Sequence, residues 1–314
     1  MTTVSVVVPS RNDARFLRRC LQDLTAQTRR PDEIVVVDND SEDETAQVGR
    51  DAGARVVLQK QIGIWPAVSA GYDAASGDII FRLDADSRPP VDWIEHALAV
   101  FEAEPGLDML VGHGDFYGPR RIINWIGTKL YIGGMYAVLT PYFGHAPVFG
   151  SNFAMRREVW AQMRRTAHVD HPGIHDDMDL TYQVQPWMTI SYDPGWRVGI
   201  SARPFDTFAS LGRRLGWVGT TVKANWPESR PFVHRRARKR WQRLPSLAQQ
   251  RALHARSAQL RELDGEPGHP GSTQARHPGS TQPGHPGSTQ AGRPASRPPG
   301  QADSGRSGSG QAEA

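Results

Sequence analysis

Residues 79–86 read Ile-Ile-Phe-Arg-Leu-Asp-Ala-Asp, a short apolar run that ends in two carboxylates. A run without polar alternation is typical of a strand that is covered on both faces of a sheet. Because side chains two residues apart point the same way in extended backbone, Asp84 and Asp86 would project together from the strand end. Two such carboxylates can hold a hard divalent cation or hydroxyl groups. The stretch therefore predicts a buried strand that ends in a polar site.

Three similar apolar runs precede this strand, at 4–9, 34–38 and 55–58. They alternate with helical patterns, and the whole order is β-α-β-α-β-α-β. This order predicts an α/β fold with a Rossmann-like, mostly parallel sheet and helices on both of its faces. In the second helix, Ser41 and Glu44 form a candidate capping box, which would leave the strand-end residue Asp38 available to a ligand.

Polar residues follow three of these strands, at 10–13, 38–40 and 84–86. The carboxyl ends of parallel strands meet at one edge of a sheet, and ligands of open α/β sheets bind there. The sequence therefore predicts one ligand site that is built from three strand ends. A solvated acidic turn is the alternative for any one of these segments alone.

A second acidic cluster lies at 175–180, which reads His-Asp-Asp-Met-Asp-Leu. Three carboxylates within four residues repel one another, and such crowding is tolerated beside a cation or where one carboxyl acts as a base. Helix capping is the alternative interpretation, because the N-terminus of a helix favours acidic side chains.

These segments, together with 149–157, resemble the inverting family 2 glycosyltransferases of the GT-A type. Five motifs occur in the order of that family, at 4–13, 33–41, 83–87, 149–157 and 175–180. The resemblance covers roughly residues 3–200. It implies a GT-A-like fold and a sugar-nucleotide-dependent enzyme.

The resemblance also implies roles for individual residues. Those expected to bind the nucleotide sugar are Pro9, Asn12, Asp13, Asp38 and Asp84, with Asp84 near the ribose. Asp86 would coordinate Mn²⁺ or Mg²⁺ on the diphosphate, and Asp177 falls where the family has its catalytic base. Residues expected to support the base or the acceptor are Asn152, His175, Asp176 and Asp179, of which Asp176 replaces the Glu of the family motif.

One part of the family pattern is missing. Many members have an Ala-Arg-Asn-x-Gly run before the Asp-x-Asp strand, whereas this chain has Ala-Val-Ser-Ala-Gly at 67–71. The Arg and Asn roles in donor recognition therefore do not carry over. Arg82, beside the Asp-x-Asp motif, is a candidate replacement.

The expected activity is metal-dependent, inverting transfer of a hexose from a nucleotide-diphosphate donor to an acceptor hydroxyl. A catalytically silent nucleotide-sugar-binding or scaffold protein is the first alternative. A nucleotidyltransferase is a weaker alternative, because residues 9–12 are not a Gly-rich basic loop. The sequence leaves the acceptor unidentified, with a lipid-linked substrate and a glycan as the candidates.

Charge and composition divide the chain. Residues 1–229 carry a net charge of −5 and residues 230–314 one of +9. The acidic body argues against a nucleic-acid partner.

We expect a catalytic domain at 1–229, with a nucleotide-sugar half at about 1–115 and an acceptor half at about 116–229. A basic, partly helical extension would follow at 230–264. Residues 265–314 contain three His-Pro-Gly-Ser-Thr-Gln repeats and no large apolar side chain, so a disordered tail is expected there.

Two features suggest an anionic membrane surface as a partner. The stretch 122–143 is apolar and rich in Trp and Tyr, yet it contains Lys129, which favours an interfacial or surface helix over a membrane span. The basic segment 230–261 would be attracted to anionic lipid. Because the N-terminus lacks a signal-peptide pattern, we expect a cytoplasmic protein that is peripheral on the inner face of the membrane.

The chain has a single cysteine, Cys20, so an intramolecular disulfide is excluded. We expect Cys20 to be a buried thiol.

Overall fold

A computed structural model of the chain describes most of the body of the protein. The described residues are 1–118, 125–171, 173–203, 208–227, 230–246, 249 and 251–253, with backbone alone for 208–215. The expected tail at 265–314 and the second part of the basic extension, from 254, lie outside the described residues.

The strands of the described residues form one seven-stranded sheet in the order β3-β2-β1-β4-β6-β5-β7. Neighbouring strands from β3 to β4 are parallel, β6 is antiparallel to both β4 and β5, and β7 is parallel to β5. The prediction of a mostly parallel sheet is therefore confirmed. The strands are β1 (Val4–Ser10), β2 (Glu33–Asp38), β3 (Arg55–Leu58), β4 (Ile79–Arg82), β5 (Met109–Tyr117), β6 (Phe153–Arg156) and β7 (Ile190–Ser201).

Helices connect most of these strands. Their bounds are α1 (Ala14–Thr25), α2 (Thr45–Asp51), α3 (Ile64–Ala74), α4 (Trp93–Ala103), α5 (Gly133–Phe143), α6 (Arg157–Met163), α7 (Asp176–Gln183), α8 (Phe208–Ala224) and α9 (Val233–Gln242). A π-helical turn, Thr128–Ile132, leads directly into α5.

Helices α2 and α3 cover opposite faces of the sheet, as the pattern predicts. A Cβ atom on Gly71 of α3 would lie 2.9 Å from Val37 Cγ2, and one on Gly49 of α2 would lie 3.3 Å from Val36 Cγ1. Successive strand residues such as Val36 and Val37 point to opposite faces. Both helices therefore use a glycine to approach the sheet closely, one on each side.

The expected capping box at the start of α2 is wrong. The helix begins at Thr45, and Asp43 rather than Ser41 accepts the Thr45 backbone N–H, at 2.9 Å. Ser41 Oγ instead accepts the backbone N–H of Asn12, at 3.1 Å. Asp43 also accepts the backbone N–H of Ala14, so the loops after β1 and β2 are tied together at the sheet edge.

The apolar stretch from residue 125 onward is helical and only partly covered. Ile132 and Tyr136 are buried, whereas Trp125, Leu130 and Val138 are 64%, 73% and 65% exposed. Every helix in the part of the chain that the structure describes is too short or too polar to cross a bilayer. The preference for a surface helix over a membrane span therefore agrees with the described residues.

We predict that Gly71→Ala lowers the free energy of unfolding by about 1–3 kcal/mol, because the new methyl would lie 2.3 Å from Val7 Cγ1 in a packed interface. Gly134→Ala is the matched control. It places the same methyl on a helix where nothing lies within 4 Å, and alanine there should be neutral or up to about 1 kcal/mol more stable. Urea unfolding of both variants measures the difference, and equal stabilities would contradict the close packing of α3 on β1.

Candidate active site

The strand ends that the sequence singled out meet at one edge of the sheet. β2, β1 and β4 are adjacent and parallel, and Ser10 lies directly beside Asp38 in the register. β5 and β7 run in the same direction as β4, because each step through the antiparallel strand β6 reverses the chain once. The segments after all five strands therefore reach the same edge.

The loops after β1 and β2 support each other. Asn12 adopts a left-handed backbone with φ 52°, and its Oδ1 accepts the backbone N–H of Glu42 at 2.8 Å. Asp38 is buried and accepts the Ser41 N–H at 3.2 Å, while Pro9 is buried within β1. These contacts hold the backbone around the expected nucleoside-binding residues, of which Asn12 is exposed and Asp38 is buried.

The first carboxylate of the Asp-x-Asp motif, Asp84, is held from two sides. Ser151 Oγ donates to its Oδ2 at 2.5 Å, and Arg82 Nη2 donates to its Oδ1 at 3.1 Å. Both oxygens therefore carry a hydrogen bond from the protein, and the side chain remains about one-third exposed.

The second carboxylate, Asp86, is paired with a cation that the sequence analysis did not identify. Arg203, two residues after β7, places Nη2 at 2.7 Å and Nε at 3.2 Å from Asp86 Oδ2. The same guanidinium donates through Nη1 to Asp13 Oδ1 at 2.8 Å. Burial raises the pKa of Asp86, and Asp84 adds to this, whereas Arg203 opposes it. Asp86 and Asp13 thus face a positive charge at the edge of the sheet.

A buried ion pair connects this edge to the second acidic cluster. Arg82 is 3% exposed, and its Nη1 lies 2.6 Å from Oδ2 of Asp176, which is equally buried. Burial raises the pKa of Asp176 against the opposing charge of Arg82. Since Arg82 points into the protein, the hypothesis that it replaces the missing family arginine at the donor does not fit the structure.

Asp177 is the carboxylate of the cluster that faces outward, about one-fifth exposed. Its Oδ2 accepts the backbone N–H of Gly150 at 3.1 Å, and its Oδ1 lies 2.6 Å from Nδ1 of His175. Burial raises the pKa of this carboxyl, but His175, Arg82 and the Gly150 N–H outweigh it and lower the pKa of Asp177 to about 2. Asp177 is therefore ionised at neutral pH.

Gly150 lies between the Arg82 guanidinium and Asp177. A Cβ atom there would lie 2.3 Å from Arg82 Nη1 and 3.3 Å from Asp177 Oδ2. The neighbouring residue, Ser151, is the one that bonds Asp84. The loop after residue 149 therefore contacts the Asp-x-Asp motif and Asp177 at once, and a side chain at position 150 would displace the buried Arg82 guanidinium.

Two of the expected supporting residues are buried and fully engaged. Asp179 accepts hydrogen bonds from Trp65 Nε1 at 3.0 Å, from the His168 N–H at 2.8 Å and from Asn225 Nδ2 at 2.8 Å. Asn152 donates to the carbonyls of His113 and Trp196 and accepts from Trp93 Nε1 at 2.9 Å. Both side chains hold the scaffold together from inside the protein.

A cavity of about 500 Å³ opens at the carboxyl end of β5. Tyr117, in its wall, donates its hydroxyl to the Asp86 carbonyl at 2.7 Å. Trp125 and Lys129 also line it. An aromatic ring, a cation and the adjacent acidic motif make this cavity suitable for a polar ligand with an apolar portion.

Sequence reasoning missed Arg203, Gly150 and Ser151. The rule that ligands bind at strand ends would have indicated Arg203 if a strand at 190–201 had been predicted. Gly150 and Ser151 were within a recognised motif, but their contacts depend on the position of β6 between β4 and β5, which no local pattern specifies.

Sequence comparison relates the chain to known transferases. Residues 5–163 match the model of "Glycosyl transferase family 2". Glycosyltransferase AglE of Haloferax volcanii is 31% identical over 125 residues, which are 37% of this chain and 41% of that protein. The undecaprenyl-phosphate 4-deoxy-4-formamido-L-arabinose transferase of Pseudomonas fluorescens Pf0-1 is 34% identical over 117 residues, 34% of each chain. The matched part thus spans about two-fifths or less of these relatives.

Solved structures share the fold over a longer part of this chain than the sequence relatives match. The mannosyltransferase PcManGT of Pyrobaculum calidifontis, in complex with GDP-Man and Mn²⁺, has a TM-score of 0.55 at 20% identity and covers 71% of this chain and 63% of its own. Glucosyl-3-phosphoglycerate synthase of Mycobacterium tuberculosis, in complex with UDP, has a TM-score of 0.52 at 19% identity, with coverages of 71% and 80%. The expected GT-A-like fold is confirmed, and with its family model matched over half of its length the chain belongs to glycosyl transferase family 2.

Proposed function

We propose that this protein is a metal-dependent, inverting glycosyltransferase that moves a sugar from a nucleotide-diphosphate donor to an acceptor hydroxyl in one displacement. The observation that carries the proposal is the loop after residue 149. Ser151 bonds Asp84 of the Asp-x-Asp motif, and Gly150 bonds the candidate base Asp177. A donor-side carboxylate and an ionised base are thereby fixed by adjacent residues.

The loops after β1 and β2 are the proposed nucleoside site, with Pro9, Asn12, Asp13 and Asp38 as its residues. Asn12 is tied to the loop after β2, and Asp38 is held within that loop by the Ser41 N–H, which supports a site formed before the donor arrives. A preformed site lowers the ordering cost of binding. Asp84 would accept from the ribose, although it keeps its bonds to Ser151 and Arg82.

Asp86 is the proposed ligand of Mn²⁺ or Mg²⁺. The residues fit such an ion, because Asp86 and Asp13 already hold a positive group, the Arg203 guanidinium, between their carboxylates. Carboxylate oxygens are also the ligands that Mg²⁺ prefers. When bound, the ion would neutralise charge on the departing diphosphate.

Asp177 is the proposed general base. As the acceptor oxygen attacks the anomeric carbon, the bond to the diphosphate oxygen breaks, and the acceptor proton passes to Asp177. The electron pair leaves with the diphosphate, and attack from the opposite face inverts the configuration. The low pKa of Asp177 keeps it ionised at physiological pH, and His175 and Gly150 hold both of its oxygens in place.

The remaining cluster residues are proposed to position the base rather than to react. Asp176 anchors the start of α7 through Arg82, and Asp179 anchors the next turn through Trp65, His168 and Asn225. Asn152 fixes the loop that carries Gly150 and Ser151. We propose the cavity beside Tyr117 and Lys129 as the place where the acceptor enters.

We propose the same division of the body as the sequence analysis did, with a nucleotide-sugar half at about 1–115 and an acceptor half at about 116–229. The donor-side loops that follow β1, β2 and β4 come from the first part. Asp177 and the loop after residue 149 come from the second part, which supports the division.

We further propose that the enzyme docks on an anionic membrane and uses a lipid-linked acceptor. The C-terminal end of α5 contacts the basic helix α9, since the Tyr142 and Phe232 rings are 5.9 Å apart and Arg235 donates to the Pro141 carbonyl at 3.4 Å. The exposed apolar side chains lie before and within α5. α9 exposes Arg236, Lys239 and Arg240. The arabinose transferase relative, whose name includes undecaprenyl phosphate, supports a lipid acceptor.

The proposed base gives the first test. Asp177→Asn should lower kcat for release of UDP or GDP from UDP-glucose and GDP-mannose by about 10²–10⁴-fold in Mn²⁺, because the amide cannot take the proton. The control is Asp170→Asn, the same change at an exposed residue nearby, which should keep full activity. Nucleotide binding by both variants should match the native protein. An active Asp177→Asn enzyme would contradict the base, and a native protein inactive on every donor would favour the silent alternative.

The buried pair gives the second test. Arg82→Met should lower the free energy of unfolding by about 3–5 kcal/mol, because it removes the buried charge that offsets the burial of the Asp176 carboxyl. Adding Asp176→Leu should recover part of this loss. Arg164→Met removes an exposed pair with Asp73 and should cost about 1 kcal/mol or less. A loss for Arg82→Met no larger than for Arg164→Met would contradict the structural role of the pair.

The membrane surface gives the third test, by flotation with liposomes that contain anionic lipid. Leu130→Ser/Val138→Ser should weaken binding by about tenfold or more, because two exposed apolar side chains no longer leave water. The matched control is Leu58→Ser/Val91→Ser, two similarly exposed positions elsewhere, which should bind as the native protein does. Binding should also fall from 0.1 M to 1 M salt, since salt screens α9. Equal binding of the two double variants would contradict this surface.

A further inference from the structure

Arg203 is held between two carboxylates that come from different loops. Its guanidinium donates to Asp13 through Nη1 at 2.8 Å and Nη2 at 3.3 Å, and to Asp86 through Nη2 at 2.7 Å and Nε at 3.2 Å. The group also lies 3.9 Å from the centre of the Phe16 ring. Asp13 is fixed at the start of α1, and Asp86 follows β4. Arg203 therefore links the loop after β1 to the loop after β4.

This position is the one where the proposed function requires a divalent ion. Asp86 uses its Oδ2 for Arg203, and a cation on the same oxygen would meet the guanidinium at short range. Two positive groups at one carboxylate repel each other. Arg203 and a divalent ion would thus compete for the Asp86 carboxylate.

The Arg203 guanidinium lies at the solvent side of the site, where a ligand can reach it. The Arg203 side chain is 40% exposed, so water and salt screen its contacts. A guanidinium fits two oxygens of a phosphate as well as it fits those of a carboxylate. A diphosphate that entered beside Asp86 would offer Arg203 a new partner while it offered the ion additional oxygen ligands.

We propose that Arg203 is a donor-binding residue that occupies Asp86 in the nucleotide-free protein and transfers to the donor diphosphate when the divalent ion binds. This inference rests on the proposed function. It makes the binding of the ion and of the nucleotide cooperative, because each favours the state in which Arg203 has left Asp86. By linkage, the nucleotide strengthens ion binding by the same factor by which the ion strengthens nucleotide binding.

The test is a calorimetric titration of the full chain with Mn²⁺, alone and with saturating UDP or GDP. In the native protein, Mn²⁺ alone should bind weakly, and one of the nucleotides should strengthen its binding about fivefold or more, within the usual range of coupling between sites. Arg203→Met should bind Mn²⁺ alone about fivefold or more tightly than the native protein does. It should bind the nucleotide more weakly and show a smaller coupling factor.

Two further variants keep the result interpretable. Arg203→Lys retains the charge but cannot bridge both carboxylates with a planar fork, so it should lie between the native protein and Arg203→Met. Arg164→Met removes an arginine of the same exposure from an ion pair with Asp73 and should leave Mn²⁺ binding unchanged. Thermal unfolding within a few degrees of the native protein shows that each variant is folded.

Unchanged Mn²⁺ binding in both folded Arg203 variants would overturn the inference while the proposed metal site stood. Asp86→Asn tests the proposed metal site itself. This variant should lose Mn²⁺ binding, and Mn²⁺ binding that survived in it would overturn the metal site and the inference with it.

Discussion

Arg82 carries a positive charge into the interior of the sheet, and the arrangement of the site depends on it. Its guanidinium contacts Asp84 at the end of β4 and Asp176 at the start of α7, two segments that are more than ninety positions apart in the sequence. Burial of such a charge is costly unless the acids are present. The pair therefore fixes the acidic helix α7 against the Asp-x-Asp strand, and Gly150 leaves the space that the guanidinium needs.

A second arginine sets the charge balance at the solvent side of the same strand end. Arg203 neutralises one of the two charges of Asp13 and Asp86, so this part of the site keeps a net negative charge. An anionic diphosphate would be repelled from it unless another cation entered. The buried arginine thus holds the site together, whereas the exposed arginine is the one that we propose to exchange with a divalent ion.

The surface around α5 follows from incomplete covering of an apolar segment. The buried residues of this segment, such as Ile132 and Tyr136, join the core, whereas Trp125, Leu130 and Val138 stay largely exposed. Monomeric soluble proteins seldom expose so many large apolar side chains together. The nearby basic residues of α9 give this surface a charge that matches anionic lipid, which is why we connect the two features.

The amino-acid sequence by itself determined the parallel half of the fold and the sheet edge at which we propose the donor site. Continuous apolar runs at 4–9, 34–38 and 79–83 specify buried strands, and the acids that follow them must meet at one edge. The sequence also indicated that the crowded carboxylates at 175–180 lie beside a cation or include a base. Only the tertiary structure decided which acids are structural and which face outward. Asp176 and Asp179 are buried, whereas Asp177 is accessible, because contacts with Arg82 and Trp65 from distant strands and helices orient α7. Arg203 entered the site for the same reason: its position depends on β7 joining the far end of the sheet, and no local periodicity encodes a pairing between segments so far apart in the chain.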